Sequence, residues 1–71
     1  MGRTSSSQKL GKKIRQLRTD LQLTQEKLGE LTNLDRTYIS GIERGKRNPS
    51  IAAIERLAKA LKVKITELVD F

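Results

Sequence analysis

Apolar residues along this chain recur at helical spacing. Leu10, Ile14, Leu17 and Leu21 fall at i, i+4, i+7 and i+11, one stripe on a helix of about four turns. Lys12, Lys13, Arg15 and Gln16 fall off the stripe, and Gly11 is a mild flaw in it. Ser5 and Gln8 fit the Ser-x-x-Gln capping box at its start. Thr24 is a candidate N-cap for a short helix over 25–32, with Leu28 and Leu31 inward. Gly29 lets a neighbouring helix approach closely, and Asn33 tolerates the left-handed conformation that ends a helix. Asp35 caps a helix over 36–44, with Ile39 and Ile42 inward, and Gly45 stops it. Pro49 forbids helix across the next loop. Ser50 then caps a fourth helix whose stripe is Ile51, Ile54, Leu57, Ala58 and Leu61. A last short helix is predicted over 65–70, with Val63, Ile65, Leu68 and Val69 apolar; Lys64 is a poor cap for it, so that end should fray. No segment alternates with period two over strand length. The predicted class is all-α: five helices, no sheet, no internal repeat. Residues 1–7 read as a flexible N-terminal arm and 8–71 as a single domain.

Composition narrows the chemistry. Seventy-one residues bury only a small core. With no cysteine and no histidine, disulfides, thiolate metal sites, zinc hydrolases and His-based triads or dyads are excluded. No plausible nucleophile–base pair remains, so the chain is not expected to be an enzyme, and neither metal nor cofactor is expected. No apolar run approaches the roughly 18 residues that span a bilayer. The polar, basic N-terminus does not read as a signal peptide, so a cytoplasmic location is expected.

Charge adds direction. Fifteen Lys+Arg against eight Asp+Glu leave +7, which favours polyanionic partners such as nucleic acid or an anionic membrane surface. Residues 1–18 carry six bases and no acid, residues 44–64 seven bases and one acid, and the segment 19–43 between them two bases and five acids. A simple polybasic tail would not show that arrangement.

The short helices 25–32 and 36–44, joined by a few residues around Asn33 with Gly29 in the first, form a helix-turn-helix pattern. The runs Leu23-Thr24-Gln25, Tyr38-Ile39-Ser40-Gly41-Ile42-Glu43-Arg44-Gly45 and Asn48-Pro49-Ser50, with the pairs Leu57-Ala58 and Leu61-x-Val63, resemble the Xre family of lambda-repressor-like DNA-binding domains over residues 9–70. The stretch Asn33-Leu34-Asp35-Arg36-Thr37-Tyr38-Ile39-Ser40-Gly41-Ile42-Glu43-Arg44 is most similar to the controller proteins of restriction–modification systems. The resemblance implies a stand-alone dimer acting on the promoter of its own operon.

It also implies roles for particular residues. Gln25, at the positive end of its helix, would bond a DNA phosphate. Arg36 and Thr37 would open the recognition helix: Arg can bond guanine O6 and N7 together, and Thr can meet a thymine methyl. Arg in a first turn opposes the helix dipole, which suggests that something other than helix stability retains it. Ser40, one turn on, would reach a base or a phosphate. Gly41 would let the helix backbone lie close to DNA or leave room for a thymine methyl, or be a neutral Gly. Tyr38 stands open between core and DNA. Arg44, Lys46, Arg47 and Asn48 would clamp phosphates, and Arg47 matches an Arg that controller proteins bring to the DNA. Arg18 and Glu43 fall where the family has a buried ion pair, a structural role.

A sequence-specific double-stranded DNA-binding regulator is thus the leading expectation. An antitoxin-type or phage-type repressor, or a protein-interaction module, would use the same fold. A sequence-blind RNA or membrane binder is disfavoured: Tyr38 and Phe71 are the only aromatics, and the core claims the apolar stripes. Regulation through the protein's own concentration implies a homodimer on half-sites about one helical turn apart. Ile65, Leu68, Val69 and Phe71 are the expected dimer residues, although core closure explains them too. An activator would also need RNA polymerase as a partner, and nothing in the sequence marks that contact.

Overall fold

The computed structural model describes residues 5–69, and among them every regular element is a helix. The helices are α1 (Ser6–Asp20), α2 (Gln25–Thr32), α3 (Arg36–Glu43), α4 (Ile51–Leu61) and α5 (Ile65–Leu68). Four of the five begin on a side-chain cap. Ser5 Oγ accepts the Gln8 amide while Gln8 Oε1 accepts that of Ser5, the reciprocal box that its sequence suggests. Thr24, Asp35 and Ser50 accept the amides of Lys27, Thr37 and Ala53. At α5, Lys64 offers no acceptor; instead Glu67 Oε1 reaches back to the Lys64 amide. Asn33 and Lys62 end α2 and α4 in the left-handed conformation, with φ of 59° and 62°.

Ile14, Leu28, Ile39, Ile42, Leu57 and Leu68 fill the centre, and Leu10, Ala58 and Leu61 extend it. Three residues expected inside lie outside. Leu31 is 53% exposed and Ile51 is 77% exposed. The buried positions of α2 are 28, 29 and 32, and at 3.6 residues per turn the centre of that face lies roughly 100° from Leu31. Ile51 stands at a similar angle from the face that Ala53, Leu57 and Leu61 define. Leu21 caps the C-terminal end of α1 and is also exposed. The arm expected over 1–7 is shortened, because Ser6 and Ser7 already belong to α1; its residues 1–4 lie outside the described residues. The helix expected to run to residue 70 ends at Leu68, with Val69 as its cap.

Gly11 is a packing requirement rather than a flaw. A Cβ there would stand 2.3 Å from the Ile42 carbonyl oxygen and 2.7 Å from that of Glu43, both backbone atoms. α1 therefore crosses the end of α3 at backbone contact, and no side chain can yield to make room. At an open helical site Gly→Ala gains about 1 kcal/mol. Here Gly11→Ala is expected to act in the opposite sense, costing about 1–3 kcal/mol through overpacking. Thermal melting followed by circular dichroism checks the sign: a melting temperature equal to or above that of the parent would refute the close approach.

Candidate nucleic-acid interface

α2 and α3 are joined by Asn33, Leu34 and Asp35 alone. The left-handed Asn33 turns the chain, the Leu34 amide donates to the Gly29 carbonyl at 3.0 Å, and Asp35 caps α3. This turn folds directly onto α2, since a Cβ on Gly29 would lie 2.7 Å from the Leu34 carbonyl oxygen. Ile39 and Ile42 anchor α3 in the core. On the same helix Arg36, Thr37 and Ser40, with the C-cap residue Arg44, fall within an arc of roughly 100° on the other side; the helix expected to reach residue 44 ends at Glu43. Arg36, Thr37 and Arg44 are exposed and Ser40 is half-buried. Among the described residues Arg36 forms no ion pair.

Arg18 and Glu43 hold this unit to α1. Arg18 Nε and Nη2 donate to the two carboxylate oxygens of Glu43 at 2.7 and 3.0 Å, and Nη1 donates to the Leu23 carbonyl at 2.7 Å. The two side chains are 12% and 3% exposed. Gln25, expected at a phosphate, is half-buried and its Nε2 donates to Glu43 Oε1 at 3.1 Å. One hydrogen of that amide is thereby used inside the protein, and the other stays available.

The loop after α3 doubles back. Gly45 takes φ of 74°, and the Lys46 and Arg47 amides both donate to the Gly41 carbonyl, at 2.8 and 3.2 Å. Gly41 is buried beneath this loop: a Cβ there would meet Arg47 Cγ at 2.7 Å. Its missing side chain thus makes room for the Arg47 stem, a correction to the DNA-facing role considered for it. The Arg47 guanidinium lies 5.6 Å from the centre of the Tyr38 ring. Tyr38 packs half-buried against the core, and its hydroxyl accepts the Ser50 amide at 3.2 Å. Asn48 Oδ1 accepts the Ser7 hydroxyl from the first turn of α1. Lys46, Arg47 and Asn48 are exposed, so the loop presents their polar ends to solvent beside α3.

The expected dimer residues divide. Leu68 is 1% exposed and belongs to the core, which removes it from any surface. Ile65 and Val69 are exposed; Phe71 lies outside the described residues. Ile51 is an apolar surface residue that the periodicity reading missed, because its place on the i, i+3 stripe hid its angle from the face. Among the described residues no cluster of acidic side chains could hold a metal ion, and no helix is long and apolar enough to cross a membrane.

Two helices at a three-residue turn, with the second one's N-terminal end exposed, define a helix-turn-helix unit. The helix-turn-helix family model matches residues 14–68. The control protein C.BamHI of Bacillus amyloliquefaciens is 50% identical over 62 residues, covering 86% of this chain and 76% of the relative. The immunity repressor of Bacillus phage phi105 is 38% identical over 84% of this chain, which spans only 42% of that protein. The crystal structure of the restriction–modification controller protein C.AhdI from Aeromonas hydrophila superposes with a TM-score of 0.88 at 45% identity, over 92% of this chain and 98% of that one. The chain belongs to the helix-turn-helix family of transcription regulators, in the branch of the restriction–modification control proteins.

Losing the Arg18 side chain would leave Glu43 charged and nearly out of water. Arg18→Ala is therefore expected to destabilise the fold by about 3–5 kcal/mol. A paired replacement, Arg18→Met with Glu43→Leu, should recover most of that loss, since no buried charge remains. Urea denaturation of the three variants measures both; equal destabilisation by the single and paired changes would exclude this account.

Proposed function

We propose that the protein is a dimeric regulator that reads a two-fold symmetric operator in double-stranded DNA with the N-terminal end of α3. The observation that carries this reading is the exposed arc of Arg36, Thr37 and Ser40, held outward by the Asn33–Asp35 turn and flanked by the basic loop. Arg36 supplies the bidentate donor for a guanine edge and Thr37 a hydroxyl or a methyl for its neighbour. Ser40, half-buried one turn later, reaches a base or phosphate from the same arc. Arg44, Lys46 and Asn48 neutralise or bond phosphates on one side, and the free N–H of Gln25 bonds one on the other. Because Ser7 holds Asn48 Oδ1, the Asn48 amide hydrogens point away from that bond. Tyr38 acts through Arg47, whose guanidinium it carries at the groove edge.

The dimer in this reading forms around Ile65 and Val69, with Ile51 added and Leu68 withdrawn. Half-sites then lie about one helical turn, ~34 Å, apart. The names of C.BamHI and C.AhdI, a control protein and a restriction–modification controller, support control of such a system, and autoregulation is the form of control in this reading. A footprint on the promoter upstream of its own gene tests it.

Base reading and phosphate clamping separate experimentally. Arg36→Ala should cost about 1–3 kcal/mol per half-site on the operator and change little on random duplex. Lys46→Ala should weaken both alike and flatten log K against log[salt] by roughly 0.9 per lost contact. Fluorescence anisotropy at two salt concentrations distinguishes them; equal loss on both DNAs for Arg36→Ala would remove it from the reading head. For the dimer, Val69→Asp should shift sedimentation equilibrium towards monomer with unchanged helical circular dichroism. An unshifted equilibrium would place the interface elsewhere.

A further inference from the structure

One concavity of the surface lies away from α3. It is an open groove of about 770 Å³ where the C-terminal ends of α1 and α2 meet the outer side of α4. One wall carries Leu21, Leu23 and Leu31; the other carries Arg56, Lys59 and Lys62. No acidic residue, no residue of α3, and neither Ile65 nor Val69 lines it. It therefore stays open in a protein bound to DNA through α3 or dimerised through α5.

Packing against the core accounts for Leu23, but not for the rest of the leucine wall. Leu21 and Leu31 are exposed leucines that neither the core nor the α3 surface uses. On the other wall, Lys59 and Lys62 sit at the C-terminal end of α4, where cations answer the helix dipole. Arg56 is a turn earlier, outside that effect. Its helical neighbours at i−4, i−3 and i+4 are alanines, and at i+3 it meets Lys59, a like charge that opposes helix stability. Three cations thus converge on an apolar trough with no anion among its lining residues to balance them.

We propose that this groove docks an acidic amphipathic helix of another protein. The leucine wall takes an apolar face and the cation wall takes carboxylates along its edge, the groove mode of helix recognition. Nucleic acid fits less well. A phosphate backbone has no apolar face to set against Leu21 and Leu31, and the groove has no aromatic side chain for base stacking. The inference rests on the groove alone and is independent of the DNA-reading assignment.

Nuclear magnetic resonance titration of the full chain tests it. The probe is a short synthetic helical peptide with one leucine face flanked by glutamates. Two further peptides replace its glutamates with lysines or its leucines with serines. The acidic leucine peptide should shift the amides of Leu31, Asn33 and Lys62 and leave Arg36 and Arg47 in place. Arg56→Glu and Leu31→Ser should each weaken it by about tenfold, close to 1.4 kcal/mol, with unchanged circular dichroism. If Leu31→Ser loses its fold, Arg56→Glu carries the test alone. The proposal fails if the serine peptide or random duplex DNA shifts the same groove amides equally, which marks a general polyanion patch. It also fails if the shifts fall on α3, or if Arg56→Glu abolishes self-association in sedimentation, which makes the groove a face between two copies of this chain.

Discussion

The Glu43 carboxylate is almost wholly out of water, and the arrangement of the first three helices follows from how its charge is satisfied. Arg18 supplies two parallel hydrogen bonds to it, and Gln25 supplies a third. Arg18 also holds the Leu23 carbonyl. One guanidinium and one carboxylate thereby fix the end of α1, the turn into α2, the first residue of α2 and the last residue of α3. A buried pair of this kind adds little net stability over an apolar replacement, but removing one partner strands a buried charge. Gly11 sets the remaining coordinate, because α1 and α3 meet there backbone to backbone. With α3 fixed along its length by that pair and by Ile39 and Ile42, the direction of the Arg36–Thr37–Ser40 arc is no longer adjustable.

The loop from Arg44 to Ser50 is built on the same economy of side chains. The Gly41 carbonyl receives two loop amides, the absent Gly41 side chain admits the Arg47 stem, and the Tyr38 ring lies beneath the guanidinium. The Tyr38 hydroxyl then accepts the amide of Ser50, the residue that caps α4. The last turn of α3, the basic loop and the start of α4 thus form one ordered unit. Fixing long basic side chains before they meet a polyanion lowers the entropic cost of contact. Elsewhere the groove between α2 and α4 gathers cations and leucines with no comparable internal partner.

Much of this was legible in the chain. The capping residues Ser5, Thr24, Asp35 and Ser50 mark helix starts because each offers an oxygen three or two residues ahead of an orphan amide, a strictly local relation. The all-helical class, the short turn around Asn33 and most of the core followed from the same local rules and from 3.6-residue spacing. Leu31 and Ile51 did not, because spacing alone cannot say where the centre of a buried face lies; neighbouring helices decide that. Leu68 stood open in the sequence between dimer surface and core closure, and the packing of its neighbours assigns it to the core.

The residues around α3 divide similarly. Arg36, Thr37 and the basic run 44–47 stand out in sequence, since charge and position in a helix need no tertiary contact to be read. The Arg18–Glu43 pair was legible only through the family resemblance, and the Gln25 bond to Glu43, the purpose of Gly11, and the stacking of Arg47 on Tyr38 over Gly41 involve the meeting of separate segments. A glycine inside a helix signals a packing reason without naming the partner. The sequence alone determined which helices form and where the reactive surface chemistry lies along them. Only the tertiary structure decided which of those side chains face one another, because burial and close approach are properties of how helices cross rather than of any one helix.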